Sequence, residues 1–352
     1  VFDVQIIKVA AFLAPSNDWG GRLIYGEIFM YIVTGGAGLI GSAVVWELNN
    51  RGLKDILVVD HLGHSGKWRN LRSLKFQDYM EKDVFRKAVS ENRIKAKGIK
   101  AIIHMGACSK TTEQDAGYLI DNNYNYSREL AGFAVSNKIR FLYASSAATY
   151  GDGAKGYIDD ESSLDALRPL NMYGYSKHMF DLWARNNGLL DRIAGFKFTN
   201  IYGPNEWHKE DMRSVVCKAY EQITSTGKVQ LFKSCHPDYK DGEQKRDFLY
   251  VKDAVDMVLY FLDSRESGLF NVGSGQAETW KSLVTAIFAA LNRKPNIEYV
   301  KMPECLKSSY QYYTKAEMWK LRRFHSPQLT PLKDAVKDYV RNYLVTGRHL
   351  GD

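Results

Sequence analysis

The chain has little cysteine, and what there is does not cluster. Its four cysteines, Cys108, Cys217, Cys235 and Cys305, lie far apart, form no CxxC and have no histidine at metal-ligand spacing. That pattern excludes a disulfide framework and a zinc-ribbon type of site, and the thiols read as reduced, as in the cytoplasm. "SCHP" at 234–237 puts one cysteine beside one histidine, but a lone pair of this kind reads as a surface loop, and no metal is expected. No apolar run approaches the ~18 residues of a membrane span, so no membrane partner is expected. Long blocks of basic residues are missing too. "KLRR" at 320–323 is the densest, and it suits a helix end better than a grip on a nucleic-acid backbone. There is no repeat and no low-complexity tract.

What is present is ample apolar material. The 352 residues are 45% hydrophobic, enough for one large domain or two coupled ones. Lys+Arg number 48 against 40 Asp+Glu, a net charge of +8. With no basic block to bind nucleic acid, this balance points to small anionic, phosphorylated ligands.

Along the chain, "MYIVTGGAGLIG" (30–41) is an apolar run that breaks into glycines, and "SAVVWELNNRG" (42–52) follows with helical periodicity and a glycine stop. "DILVVD" (55–60), "KAIIHMGA" (100–107), "IRFLYASSA" (139–147) and "DRIAGFKFTNIYG" (191–203) read as further strands, with a long helical stretch through 115–137. Strands alternating with helices predict an α/β fold with a doubly wound parallel sheet of Rossmann type. After Gly203 the pattern loosens into polar loops. A smaller C-terminal substrate domain is expected over 203–245 and 270–320. The first domain is expected to span 30–202, with 246–268 and 331–345 returning to it. Residues 1–29, with the turn formers "APSNDWGG" (14–21), are expected to be an extension outside the fold.

The glycine stretch carries chemistry. In "TGGAGLIG", Gly35 permits a tight turn, Gly38 lets the backbone approach a pyrophosphate, and Gly41 lets helix and strand pack closely. Asp60 ends the second strand, where a ribose-binding carboxylate belongs. The spacing is GxxGxxG rather than GxGxxG.

That spacing, with "GACS" (106–109), "NNY" (122–124), "YASSAATYG" (143–151), "YGYSK" (173–177), "TNIYGP" (199–204) and "RDFLYVKD" (246–253), resembles the extended short-chain dehydrogenase/reductase family. The likeness runs from residue 30 to about 345, in the family's order. Within it, "GACSKTTEQDAGYLIDNNYNYSREL", "LNMYGYSKHMFDLW", "NIYGPNEWHKEDM" and "LKSSYQYYTKAEM" look like the nucleotide-sugar epimerases that act on ADP-heptose. This implies an epimerase with an ADP-heptose substrate, a homo-oligomer with a pentamer as the named size, and a role in lipopolysaccharide biosynthesis. The alternative is another NAD(P)-dependent nucleotide-sugar epimerase or dehydratase. A dehydratase usually needs an acidic pair beside the active-site Ser/Thr, and "SSAATYG" lacks it. A binding module without activity would be expected to have lost the Tyr or the Lys of "YGYSK", and both stand.

Two tyrosines precede Lys177. If 171–187 is helical, residues four apart share a face and residues two apart do not, so Tyr173 can pair with Lys177 and Tyr175 cannot. The family's YxxxK pattern selects Tyr173 as well, and Tyr175 reads as a packing residue. A free phenol ionises near pH 10. The Lys177 ammonium, with a nicotinamide cation nearby, would lower that value. Lys177 would also hold the nicotinamide ribose.

The remaining roles come from the resemblance. It makes Ser146 the hydroxyl that orients the reacting oxygen, with Ser145 facing the structure, and Lys209 the second acid/base. Chemistry supports a second base, because a ketone that turns over between two hydride transfers presents its oxygen differently each time. For the cofactor the resemblance implies NADP, with NAD tolerated. Gly35, Gly38, Leu39, Ile40, Gly41, Asp60, His61, Lys67, Lys82, Met105, Gly106, Ala107, Cys108, Ser109, Asn122 and Ile201 are the matching positions, joined by Tyr173, Lys177 and Lys209. Lys67 matches the lysine beside the adenosine 2′-phosphate, whereas Arg69, Arg72 and Lys75 also fit a solvated basic loop. For the substrate the matches are Ser146, Asn200, Asp211, Lys218, Phe232, Lys233, Ser234, Arg246 and Tyr310, with Lys218 and Arg246 as partners for the ADP phosphates. At Asp211 and Lys218 the family pattern carries other residue types.

Overall fold

The structure, a computed structural model, describes residues 30–307 and 310–352, and the expectation for residues 1–29 falls outside the described residues. The strands in chain order are β1 (Met30–Thr34), β2 (Ile56–Asp60), β3 (Asp78–Glu81), β4 (Ile99–His104), β5 (Arg140–Ser146), β6 (Ala194–Phe198), β7 (Asn200–Tyr202), β8 (Val229–Phe232), β9 (Lys245–Arg246), β10 (Phe248–Tyr250), β11 (Gly268–Val272), β12 (Glu278–Thr279) and β13 (Ile297–Val300). Seven of them form one sheet in the order β11-β6-β5-β4-β1-β2-β3, with every pairing parallel. The strand order reverses between β1 and β4, and ligands of such sheets bind at that reversal, beyond the carboxyl ends of the strands.

The sheet is buried on both faces, which is why its strands read as continuous apolar runs. Tyr31 and Val33 of β1 face one apolar layer together with Leu39, Ala43, Val44 and Leu48 of helix α1 (Leu39–Asn50). Met30 and Ile32, one residue out of phase, face the other layer with Leu130, Ala131 and Ala134 of helix α2 (Tyr126–Ser136). Burying an aliphatic side chain of this size stabilises the fold by about 1.5–3 kcal/mol, and here the period-two alternation feeds both layers at once.

Two sequence expectations change. The run 191–203 is not one strand. β6 stops at Phe198, and β7 leaves to pair in parallel with β10. The Thr199 N–H still bonds the Val272 carbonyl in the main sheet (3.1 Å), while the Asn200 N–H bonds the Asp247 carbonyl (3.1 Å). Residues 200–202 are thereby turned toward the mouth of the sheet. β3 carried no clear apolar signal because it is a short, half-covered edge strand. In addition, β11 is the opposite edge strand of the main sheet, so residues 270–272 lie there and not with the segments that follow.

Those segments build a second layer. Helix Val215–Thr226 and the parallel pair β8–β13 pack near helix Trp280–Ala290, and β9 pairs antiparallel with β12. Asp247, fully buried, ties their loops together by accepting from the N–H groups of Ser274 (2.7 Å), Gly275 (3.1 Å) and Ala316 (3.0 Å). Among the described residues no helix is long and apolar enough to cross a membrane.

Candidate active site

Beyond the carboxyl ends of β1, β2, β4 and β5 opens a cavity of 940 Å³. Its floor is the glycine turn. Gly35 has φ +66°, and a side chain there would come within 2.6 Å of the Gly106 backbone. A Cβ on Gly41 would stand 2.0 Å from the Gly35 carbonyl oxygen, so the start of α1 can lie this close to β1 only with glycine. Gly38 is different: its added Cβ would meet only the Gly35 oxygen, at 3.2 Å. Within the protein nothing else crowds it, and it keeps open the space where a ligand would approach. Gly38 also caps α1 without a side-chain hydrogen bond, and no acidic residue stands in the first turn. The positive end of α1 is therefore left for an anion from outside the chain. This bare, glycine-lined helix start fits the pyrophosphate of a dinucleotide.

At the far end of the turn lies Asp60, 5% exposed. Its Oδ2 accepts from the Ala37 N–H (2.8 Å), and its Oδ1 accepts from the His61 N–H (2.7 Å) and the Lys67 ammonium (2.8 Å). Lys67 thus neutralises the carboxylate and still lines the cavity. Lys82 donates to Asn122 Oδ1 (2.9 Å). Asn122 sits in a widened π-type turn, Ile120–Asn125, just before α2. In the same turn Asn123 accepts from the Cys108 N–H (2.9 Å) and donates to the Cys108 carbonyl (3.0 Å) and to Ser176 Oγ (3.0 Å). This holds the 105–109 loop against the next helix.

That helix, α3 (Met172–Asn186), starts at Asn171, whose side chain accepts from the Gly174 N–H at 2.8 Å. Gly174 allows the first turn to approach the Ala148 carbonyl, 2.8 Å from where its Cβ would be. Tyr173 and Lys177 both line the cavity, whereas Tyr175 is 47% exposed to solvent. Tyr175 is thus a surface residue and not the packing residue expected from sequence, because two residues along the helix turns it away from the cavity face. Lys177 donates to the Ala144 carbonyl (2.8 Å), and burial pulls its ammonium down to about 8, opposed by the Asp181 carboxylate one turn on. Burial raises the Tyr173 phenol, and its hydrogen bond with Ser146 works against that. Ser146 Oγ also accepts from the Ala148 N–H (3.1 Å). Ser145 points inward and donates to Asp181 (2.7 Å), which is paired with the buried Lys197 ammonium (2.8 Å). This pair braces β5, β6 and α3 beneath the site.

Lys209 enters from a 3₁₀ turn, Trp207–Met212, that follows β7. The turn is fixed by buried Glu206, which accepts from Ser214 N–H (2.5 Å), Ser214 Oγ–H (2.6 Å) and Tyr339 O–H (2.9 Å). Burial lowers the Lys209 ammonium, and Glu206 opposes the shift.

All the positions expected to hold cofactor line this one cavity, as do Ser146 and Asn200. The other substrate expectations fall elsewhere. Asp211 and Lys218 do not line it, because the Lys218 ammonium turns back onto the Asp211 carbonyl at 2.5 Å. Phe232, Lys233, Ser234 and Arg246 are likewise off this cavity. Tyr310 lines a second cavity of 650 Å³, which shares Tyr157, Leu170 and Gln311 with the first. Arg246 lies over the rings of Tyr310 (5.1 Å) and Trp280 (5.6 Å), so it stands beside the junction. Sequence reasoning missed Thr111, Thr112, His208, Met212, Arg213, Trp280 and Gln311, which also line the first cavity. Thr111 and Thr112 lie in the quoted "GACSKTTEQDAGYLIDNNYNYSREL", His208 and Met212 in "NIYGPNEWHKEDM" and Gln311 in "LKSSYQYYTKAEM"; Arg213 and Trp280 carried no local signal.

A Rossmann sheet with a glycine turn, a buried carboxylate at the end of β2 and a Tyr and a Lys one helical turn apart, all on one cavity, defines a nicotinamide-dinucleotide enzyme. Residues 31–273 match the NAD dependent epimerase/dehydratase family, and the chain belongs to it. It is 54% identical over 317 residues to an ADP-L-glycero-D-manno-heptose-6-epimerase of Nitratidesulfovibrio vulgaris strain Hildenborough, covering 90% of this chain and 98% of that protein. The crystal structure of the Helicobacter pylori ADP-L-glycero-D-manno-heptose-6-epimerase superposes with TM-score 0.74 at 24% identity, covering 92% of this chain and 99% of that one. A Thermus thermophilus UDP-glucose 4-epimerase in complex with NAD shares the fold, with TM-score 0.67 at 23% identity over 90% of this chain and 100% of that one.

Proposed function

We propose that this protein epimerises C6 of the heptose in ADP-D-glycero-D-manno-heptose, giving the ADP-L-glycero-D-manno form. The observation that carries this is the joint placement of Ser146, Tyr173, Lys177 and Lys209 on one dinucleotide-sized cavity, in a chain 54% identical to a heptose epimerase. A bound nicotinamide dinucleotide would take a hydride from C6 and return it to the other face of the ketone. The chain supplies the proton chemistry. Tyr173, as phenolate, takes the C6 hydroxyl proton while Ser146 holds that oxygen. The Lys177 charge stabilises the phenolate. Once the ketone has turned, Lys209 gives its oxygen a proton in the second pose, and its lowered ammonium is suited to that exchange. Proton transfer by a positioned group of this kind accelerates a reaction about 10²–10⁴-fold.

NADP is the preferred dinucleotide in this reading, with NAD tolerated. The support is the Lys67–Asp60 pair: a lone carboxylate at the ribose would repel a 2′-phosphate, and Lys67 cancels that charge and adds a donor. Arg246, beside the rings of Tyr310 and Trp280, is the cation this reading assigns to the ADP phosphates. A homo-oligomer in the cytoplasm, with five copies as the first size to test, supplying heptose for lipopolysaccharide, completes the reading.

The test is incubation with ADP-D-glycero-D-manno-heptose, following the C6 epimers by NMR and reduced nicotinamide by absorbance. Interconversion of the epimers with no net reduced cofactor is the expected result. Reduced cofactor accumulating in step with substrate loss would indicate a dehydrogenase and reject the proposal.

A further inference from the structure

The 3₁₀ turn Trp207–Met212 that presents Lys209 has no fully buried residue, and Glu210 within it stands at φ +47°. Its own side chains do not pack it in place, so its position depends on what holds its ends. Glu206 clips the two ends together through Ser214 and holds them to Tyr339. The tie toward the dinucleotide side is Asn205, 1% exposed and at φ +76°. Left-handed backbone of this kind is tolerated by glycine and asparagine. Asn205 Oδ1 accepts from the Leu350 N–H (3.0 Å). A backbone N–H can only donate, so the amide oxygen is fixed on that side, and Nδ2 donates to Ser42 Oγ (3.0 Å). Ser42 is fully buried near the start of α1, and its hydroxyl donates in turn to the Leu39 carbonyl (3.4 Å). The Asn205 carbonyl accepts from Asn70 (2.9 Å) and from the His208 ring. Asp352, two residues beyond Leu350, is held by Arg72 (2.5 Å). A single residue thus joins α1, the Gly66–Asn70 turn and the 349–352 segment to the start of the Lys209 turn.

We propose that Asn205 is a positioning residue that sets Lys209 relative to the dinucleotide, by tying the Lys209 turn to the start of α1. The proposal rests on the reading of Lys209 as the second acid/base. α1 begins at the glycine turn that fits a pyrophosphate, so the Ser42–Asn205 bond fixes the Lys209 turn on the element that would hold the cofactor. Misplacing a reacting group by about 1 Å costs about 10²-fold in rate. Tyr173 and Lys177 stand on α3 and are held by other partners, so the loss falls on the step that uses Lys209. Asn70 keeps its bond to the Ala37 carbonyl (2.8 Å) whatever the Asn205 side chain is, and the glycine turn stays in place.

The test compares the full-length parent with Asn205→Gly, Lys209→Met and the double variant, following C6 epimerisation by NMR and NADP⁺ binding by calorimetry. Asn205→Gly accepts the left-handed backbone and deletes only the side-chain ties. It should lower kcat by about tenfold or more, with the substrate KM and the NADP⁺ Kd within about threefold of the parent. In the Lys209→Met background the same change should cost less than about threefold, because a residue that acts through Lys209 has nothing left to act on. A merely structural residue would instead take the same factor from both backgrounds. Ser42→Ala cuts the tie from the α1 side with Asn205 intact. It should show the same pattern, and it decides the matter if Asn205→Gly does not fold. A kcat within about threefold of the parent, a matching loss of NADP⁺ affinity, or a loss that multiplies unchanged onto Lys209→Met overturns the proposal and leaves the epimerase reading standing. A Lys209→Met enzyme within about tenfold of the parent overturns the reading of Lys209, and the proposal with it.

Discussion

Replacing Tyr173 with Phe removes one oxygen and leaves the ring in place. No cavity forms, Ser146 keeps its bond from the Ala148 N–H at 3.1 Å, and Lys177 keeps the Ala144 carbonyl at 2.8 Å. The fold should therefore be untouched, with Tm within about 2 °C of the parent, the scale of a change of about 1 kcal/mol in a chain this large. In the proposed mechanism what is lost is the group that takes the C6 hydroxyl proton, and kcat should fall by at least about a hundredfold, or about 2.7 kcal/mol of transition-state stabilisation. Tyr175→Phe makes the same chemical change two residues along, on a side chain 47% exposed. Surface changes of this kind stay within about 0.5 kcal/mol, so kcat should stay within about twofold. Initial rates of C6 epimerisation by NMR, with melts and cofactor titrations as controls, measure all of this. Comparable losses in the two variants, or a Tyr173→Phe enzyme within about tenfold of the parent, would refute the reasoning.

Lys67→Ala should weaken NADP by about tenfold or more, the scale of a charge-assisted hydrogen bond. It should leave NAD unchanged or tighter, because Asp60 is freed for the ribose hydroxyls; equal loss for both would remove Lys67 from the phosphate site. Acid should expose the buried His104, whose ring bridges Thr34 Oγ1 (2.6 Å) and Ser127 Oγ (2.9 Å) beneath the glycine turn. Burial, and to a smaller degree the Lys177 charge, pulls it from 6.5 to about 3. The unfolded chain thus binds a proton that the folded chain refuses, and this contribution to stability is present above pH 6.5 and lost as pH falls toward 3. Urea unfolding at neutral and mildly acidic pH should show a shallower loss for His104→Gln than for the parent, and identical slopes would contradict the assignment.

Much of this site could be read before any coordinates because its parts are local. The glycines of "TGGAGLIG" are demanded within a few residues by a turn and a close helix start, and the structure puts the Gly41 position 2.0 Å from the Gly35 oxygen. The face shared by Tyr173 and Lys177 follows from helical geometry alone. Apolar runs alternating with amphipathic stretches likewise specify a parallel sheet, because each strand must be covered on both faces.

Other features are decided by which partner a side chain or strand finds in the packed structure, where no period or spacing carries the signal. Asn70 meets His208 across 138 residues, and Lys67 turns onto Asp60 instead of out to solvent. Lys218, expected to reach a phosphate, folds back on Asp211, while Trp280 enters the cavity from a helix without a motif. β7 leaves the sheet because Asp247, 47 residues on, offers its backbone a different partner. The sequence by itself determined the sheet, the dinucleotide turn and the Tyr–Lys pair, since stereochemistry within one or two turns dictates them. Which side chains converge on the substrate side was decided only by the tertiary structure, since that depends on how separate segments pack against one another.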